Sequence, residues 1–300
     1  MSAPPATVPP AARPRPRRRG IWVLVAAATA VFVVLPGLAA AALFAIRHHQ
    51  DQTAVWHRPL TLLRVSAPGA NVTVFGGQAG LTGVEQHLTW FLGAAPRVRE
   101  TWSGRTLTVT APPCARKPPW HCEVGLGIQV PAGVAVQAGA GAGSLNVVGL
   151  TGPVHTAVTS GQISLLDLHG PAWATATSGA ISAASLACPQ VQAAVSSGSL
   201  ALQFVLPPLR VTATATSGDV SVTVPPGTRY HVTGNSGVSP ELASASSPRL
   251  ITVSSISGSA GVGYDYGQPA PPAPRSPARP RLPRRPASHR PASVSRRKSS

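Results

Sequence analysis

Acidic residues are scarce in this 300-residue chain: 8 Asp and Glu stand against 25 Lys and Arg, and charged residues make up only 11%. The carboxylates are Asp51, Glu85, Glu100, Glu123, Asp167, Asp219, Glu241 and Asp265. None is paired at short spacing, which argues against the acid pair of a glycoside hydrolase and the crowded carboxylate loop of a calcium site. No Gly-x-Ser-x-Gly elbow occurs, and the many serines lack a neighbouring base of the kind a nucleophile needs. His155, His169 and His231 are scattered over different segments and read as surface residues, while the adjacent His48 and His49 fall in a polar stretch. Gly139-Ala-Gly141-Ala-Gly143 lacks the spacing and the helix of a dinucleotide loop. The expectation is a protein that is not an enzyme, with no cofactor and no metal site.

Cysteine is nearly as rare, with three in the chain. Cys114 and Cys122 flank Ala-Arg-Lys-Pro-Pro-Trp-His between two strand-like runs, a spacing that invites a disulfide outside the cytoplasm. Closing so short a loop would stabilise by about 2–3 kcal/mol on the chain-entropy model. The alternatives are two free thiols, or a zinc site that has His121 as a third ligand and no fourth. Cys188, in Ala-rich surroundings, reads as a small core residue.

The positive charge sits at the ends. Residues 1–20 carry Arg13, Arg15, Arg17, Arg18 and Arg19; residues 266–300 carry eight Arg and Lys298, with Pro between them and no acid. Both ends read as disordered, and no nucleic-acid-binding motif accompanies the charge. Residues 21–46 contain no charge at all, and such a stretch exceeds the ~20 residues that span a bilayer. With the arginines before it, the positive-inside rule predicts a single-pass anchor with a cytoplasmic N-terminus and everything after 47 outside. A cleaved signal peptide ending near Leu38-Ala-Ala-Ala-Ala42 is the alternative, although its apolar core would be long. Residues 47–59 then read as a linker. The basic tail, if outside, has anionic wall polymers, lipid headgroups or acidic glycans as natural partners, or serves as a spacer.

What the chain does have is a repeat. Ser160-Gly161-Gln-Ile163-Ser-Leu165 recurs as Ser178-Gly179-Ala-Ile181-Ser-Ala183, Ser197-Gly198-Ser-Leu200-Ala-Leu202 and Ser217-Gly218-Asp-Val220-Ser-Val222. Weaker copies follow Gly143, Gly237 and Gly258, so the steps between the repeat glycines are 18, 18, 19, 20, 19 and 21 residues. A near-constant step marks a stacked-repeat architecture. Before each Ser-Gly runs an alternation such as Val211-Thr-Ala213-Thr-Ala215-Thr216. One step therefore reads as strand, Ser-Gly corner, strand, second corner. The fold class expected is all-β: a thin parallel β-solenoid of about seven steps over residues 60–265, after one transmembrane helix. An antiparallel sandwich would also give short strands and regular turns, but it needs repeated spacing only, whereas here the residues themselves repeat. Stacking would align Thr159, Thr175, Thr177, Thr212, Thr214 and Thr216 into outward ladders that could bind a glycan or a protein, or simply meet solvent. Trp90, Trp102 and Trp120 in the lead-in fit either a sugar platform or a cap on the open end.

The Ser-Gly-x-apolar-x-apolar cassettes, together with Val222-Thr-Val224-Pro-Pro-Gly-Thr-Arg-Tyr230 and Val130-Pro-Ala-Gly-Val134, resemble the bacterial "putative adhesin" family of unknown function over about 60–265. Such proteins are typically exported or membrane-anchored, many in actinobacteria, which agrees with the Ala, Gly, Pro and Arg bias. The resemblance implies a surface-displayed, non-catalytic binding domain, with cell-wall polymer, a glycan or an envelope protein as partner. A wider group of repeated-strand envelope domains implies the alternative, an envelope-stress sensor or regulator acting through a membrane partner. The cassette is irregular at Gly237, which Val-Ser-Pro follows, and at Ala183.

Overall fold

The computed structural model describes residues 19–45, 48–90, 95–113 and 122–266. Helix α1 is Arg19–Ala45. Seventeen strands follow: β1 His48–Trp56, β2 Leu62–Ala67, β3 Asn71–Gly77, β4 Thr82–Trp90, β5 Arg99–Ser103, β6 Thr106–Thr110, β7 Glu123–Pro131, β8 Ala135–Val148 and β9 Val154–Leu166; then β10 Ala172–Leu186, β11 Gln190–Phe204, β12 Arg210–Ser217, β13 Val220–Val224, β14 His231–Gly234, β15 Gly237–Val238, β16 Leu250–Ser257 and β17 Ala260–Tyr264. The arm 1–18, Cys114, Trp120, His121 and the tail 267–300 lie outside the described residues.

All strands belong to one sheet, creased along the repeat glycines. In β9 the buried positions are Val154, Thr156 and Val158, then Ile163 and Leu165. Ile163 comes five positions after Val158, an odd step, so strict alternation would have turned the second group outward. Gly161 makes up the difference: at φ 159° it bends the strand, and both arms point at one core. Gly143, Gly179, Gly198, Gly218 and Gly258 take φ between 134° and 144°. They also stack: a Cβ on Gly179 or Gly198 would lie 1.8 or 1.7 Å from the carbonyl oxygen of the glycine one rung below. Only a residue without a side chain fits that column. The expected corner between two strands is thus, from β8 to β11, a crease inside one long strand.

Register confirms the stack from β8 to β12, where Ser160, Ser178, Ser197 and Ser217 face one another on successive parallel rungs. The first arms bury small residues such as Ala172, Ala174 and Ala176; the second bury larger ones such as Ile163, Leu165, Leu200 and Leu202. Each of the larger ones contributes about 1.5–3 kcal/mol. A third wall of turns closes the coil, with Leu150, Leu168 and Cys188 buried, His169 N–H donating to the Leu150 carbonyl at 2.9 Å and Ala187 N–H to Leu168 at 2.8 Å.

Three expectations need correction. The sheet is mixed, because β1 and β5 join antiparallel to β4 and β6, and β4 joins antiparallel to β7. The stack is also out of sequence order at both ends. β8 rests on β2 and β3, which rest in turn on β6 and β7. At the far end β16 and β17 pair with β12 and β13, and β14 and β15 lie outside them. The step containing Gly237 is therefore the outermost one. Gly237 has an ordinary φ and room for a Cβ 3.7 Å from the nearest atom, while Gly234, at φ 111°, makes the close approach there. Finally, among the described residues no helix is long and apolar enough to cross a membrane. Most of the segment expected as a linker, 47–59, forms β1.

Both ends are covered. Trp56 meets Trp102 edge-on at 5.8 Å, Trp90 packs on the same end of the core, and the buried Gln86 amide donates to Glu100 at 2.6 Å. The other end is closed by Tyr230 and Leu242, both fully buried.

Candidate functional site

The alternation that builds the first arms also builds a surface. With Ala or Val inward, every second residue faces out, and parallel stacking puts equivalent residues in rows about 4.8 Å apart. One row reads Ser66, Gly139, Ala157, Thr175, Ala194, Thr214, Ser254. The next, beside the crease, includes Thr159, Thr177, Ser196 and Thr216. Because these side chains are small, the rows form the floor of a groove of about 690 Å³ crossing β2, β8, β9, β10, β11, β12 and β16. Five of the six threonines expected in ladders line it; Thr212 belongs to the row outside it, opposite Thr252. Thr156 points inward, where its hydroxyl donates to the Trp173 carbonyl at 3.2 Å.

That outer row carries larger groups. Arg64, Gln137, His155, Trp173 and Gln192 occupy successive rungs. Arg64 Nε donates to Gln137 Oε1 at 3.2 Å. The His155 and Trp173 rings stack 4.2 Å apart with only 2° between their planes. Together they wall a second trough of about 540 Å³, continuous with the first through Gly139, Ala157 and Thr175. In the sequence alone nothing local connects His155 and Trp173. The signal was present, since they stand 18 residues apart, one full step, and a step places residues on top of one another.

The eight carboxylates stand elsewhere. Asp51, Glu85 and Glu123 belong to β1, β4 and β7, on the second-arm side; Asp167, Asp219, Glu241 and Asp265 lie in turns. Glu100 on β5 is half-buried, and burial holds its carboxyl above the usual range against the opposing effect of the Gln86 hydrogen bond. Asp219 accepts from the Ser259 hydroxyl at 2.6 Å and its amide at 2.9 Å, which hold its carboxyl below the usual range. His87 and Asp51 meet at 2.9 Å on the surface. His169 and His231 are exposed on separate steps. Among the described residues no group of three or more His, Cys, Asp or Glu converges.

Cys122 is disulfide-bonded; Cys114, the partner expected for it, lies outside the described residues. Cys188 is a free, buried thiol that donates to the Leu168 carbonyl at 3.2 Å, and burial pushes its pKa up to about 12. Trp90 and Trp102 are partly buried against the end of the core, in the position of caps.

No protein-family model matches the chain, and no curated protein does. Among solved structures it has a likeness to a putative cell adhesion protein from Clostridium sporogenes ATCC 15579, at 9% identity and TM-score 0.41, covering 73% of this chain and 100% of that one. A putative adhesin from Bacteroides fragilis NCTC 9343 shows 13% identity and TM-score 0.32, covering 72% and 97%.

Proposed function

We propose that residues 60–265 form a non-catalytic, adhesin-like binding domain displayed on the outer side of the cell membrane. Its ligand is an extended polymer, a wall polysaccharide or other envelope glycan, lying along the groove. The observation that carries this reading is the groove itself, which crosses seven strands and takes at least one Ser or Thr hydroxyl from each of them except β8. Six rung spacings make it about 29 Å long. A regular, shallow, hydroxyl-lined track suits a repeating chain better than a compact small molecule, which prefers an enclosed and largely apolar pocket.

Co-sedimentation of the full chain in detergent with purified cell wall tests the reading. Ala194→Arg and Thr177→Arg each fill the groove from an outward position, and wall binding is expected to fall at least about tenfold, the loss of roughly 1.4 kcal/mol. Undiminished binding by both variants would rule the groove out. Retention of a membrane protein with no polymer bound would make the domain a regulatory sensor instead. Protease accessibility of 48–266 in intact cells checks the orientation.

A further inference from the structure

We propose that the trough beside the groove is a subsite for an acidic polysaccharide, one whose sugar units carry carboxylates. The proposal rests on the polymer-binding reading above and adds the chemical class of the polymer.

Charge distribution is the first observation. No carboxylate lines either trough, and the first-arm strands from β8 to β12, with β2, β6, β14 and β16, contain no Asp or Glu. Arg64 stands at one end of the trough wall, exposed. An anion approaching this face therefore meets a cation and no fixed negative charge.

The second observation is the state of Arg64. Its Nε is held by Gln137 Oε1, which fixes the plane of the guanidinium. Its two terminal nitrogens make no hydrogen bond among the described residues. A guanidinium fixed at one nitrogen presents a flat pair of N–H groups, the geometry that grips a carboxylate through two parallel bonds.

The third is the aromatic wall. His155 and Trp173 stack face to face two and three rungs from Arg64, about 10–14 Å along the trough, so each ring covers a face of the other and their edges border the trough beside a floor of Gly139 and Ala157. Sugar C–H groups pack against these edges while their hydroxyls reach Thr175. Cation, amide, aromatic pair and hydroxyl in one line match an acidic sugar chain: Arg64 takes the carboxylate of one unit, and the ring pair borders another. A polyphosphate would use the arginine and leave the ring pair idle.

Binding of oligogalacturonate to the full chain in detergent, followed by thermophoresis, tests this. The fully methyl-esterified oligomer and a polyphosphate serve as comparison probes. The free acid is expected to bind at least about tenfold more tightly than the ester, because a charged hydrogen bond contributes about 1.5–3 kcal/mol. Arg64→Gln should lose about tenfold toward the acid and little toward the ester. Trp173→Ala should weaken both forms of the sugar, and Trp173→Tyr should restore binding. Both side chains stand on the outer surface, and melting curves will show whether either variant disturbs the fold. Equal binding of acid and ester overturns the proposal. So does acid binding that neither variant alters, which would assign it to the basic tail. Tighter binding of polyphosphate with no Trp173 dependence would also overturn it. If wall binding in the earlier experiment survives while these probes fail, the polymer is neutral and only the subsite falls.

Discussion

Ser217 faces Ser257 across a single rung, although a complete repeat lies between them in sequence. That repeat, with β14 and β15, is carried to the outside of the stack, and the last two strands of the domain slide in beneath it. β16 and β17 are therefore interior elements, and β14 and β15, only 4 and 2 residues long, depend on them for pairing.

A chain ending at residue 248 should lose more than its missing strands. Removing Ile251, Val253 and Val262 takes away about 4.5–9 kcal/mol of burial at 1.5–3 kcal/mol each. Amides of 231–238 should then exchange at the rate of an open chain. Continued protection there would show that the outer step stands by itself.

Alanine at the repeat glycines separates column from motif. Gly198→Ala places a Cβ 1.7 Å from the Gly179 carbonyl oxygen at φ 136°, and a loss of about 2–4 kcal/mol is expected. Gly237→Ala, in the same Ser-Gly motif, has 3.7 Å of clearance and should change stability by less than about 0.5 kcal/mol. Urea midpoints of the two variants, with Gly234→Ala as a second destabilised member, decide the matter. Equal losses at Gly198 and Gly237 would contradict the stacking order.

The two shifted carboxylates give opposite pH signatures. Asp219 is held low by Ser259, so its contribution is complete above the unfolded-state value and disappears as pH falls through the folded one. Glu100 is held high by burial, so its ionised form opposes folding above the folded-state value, and that opposition vanishes below the unfolded one. Asp219→Asn should flatten the acid limb of a stability–pH curve. Glu100→Gln, which keeps an acceptor for Gln86, should raise stability at neutral pH. A decrease at neutral pH would mean that the hydrogen bond, rather than desolvation, dominates.

Cys188 should resist alkylation. With its pKa pushed to about 12 and its thiol buried, almost no thiolate is available at neutral pH. Iodoacetamide should modify it only as fast as the domain opens, with a sharp rise at the urea unfolding midpoint. Rapid labelling of the folded chain would place the residue at the surface.

Much of this was legible in the sequence. Alternating Ala and Thr before each Ser-Gly predicts strands with a small-residue interior, and the fixed step predicts stacking in register; Val211-Thr-Ala213-Thr-Ala215 does both. The hydroxyl rows followed from the same pattern. The exchanged order at the ends did not. The strands of the last three steps, β12 to β17, look alike locally, and pairing β12 with β14 or with β16 satisfies the same alternation. What decides is that Gly258 can rest on Gly218, whereas Gly237 has no place in that column. The antiparallel β1, β4 and β5 were hidden for a related reason. They are added once, without repetition, so no period announces them. The trough wall is hidden because neither His155 nor Trp173 signals it alone; only as occupants of one position on neighbouring rungs do they form it.

From β8 to β12 each rung rests on the one before it, so a duplicated segment of one step inserted there would find its glycine beneath another glycine and its threonines in line with those already present. The groove would lengthen by one spacing and keep its chemistry. Outside that interval the same insertion would part strands that must meet across an intervening repeat, such as β13 and β17. Descendants of this chain can therefore vary in reach through the middle of the domain alone, while the two ends are inherited as fixed pieces.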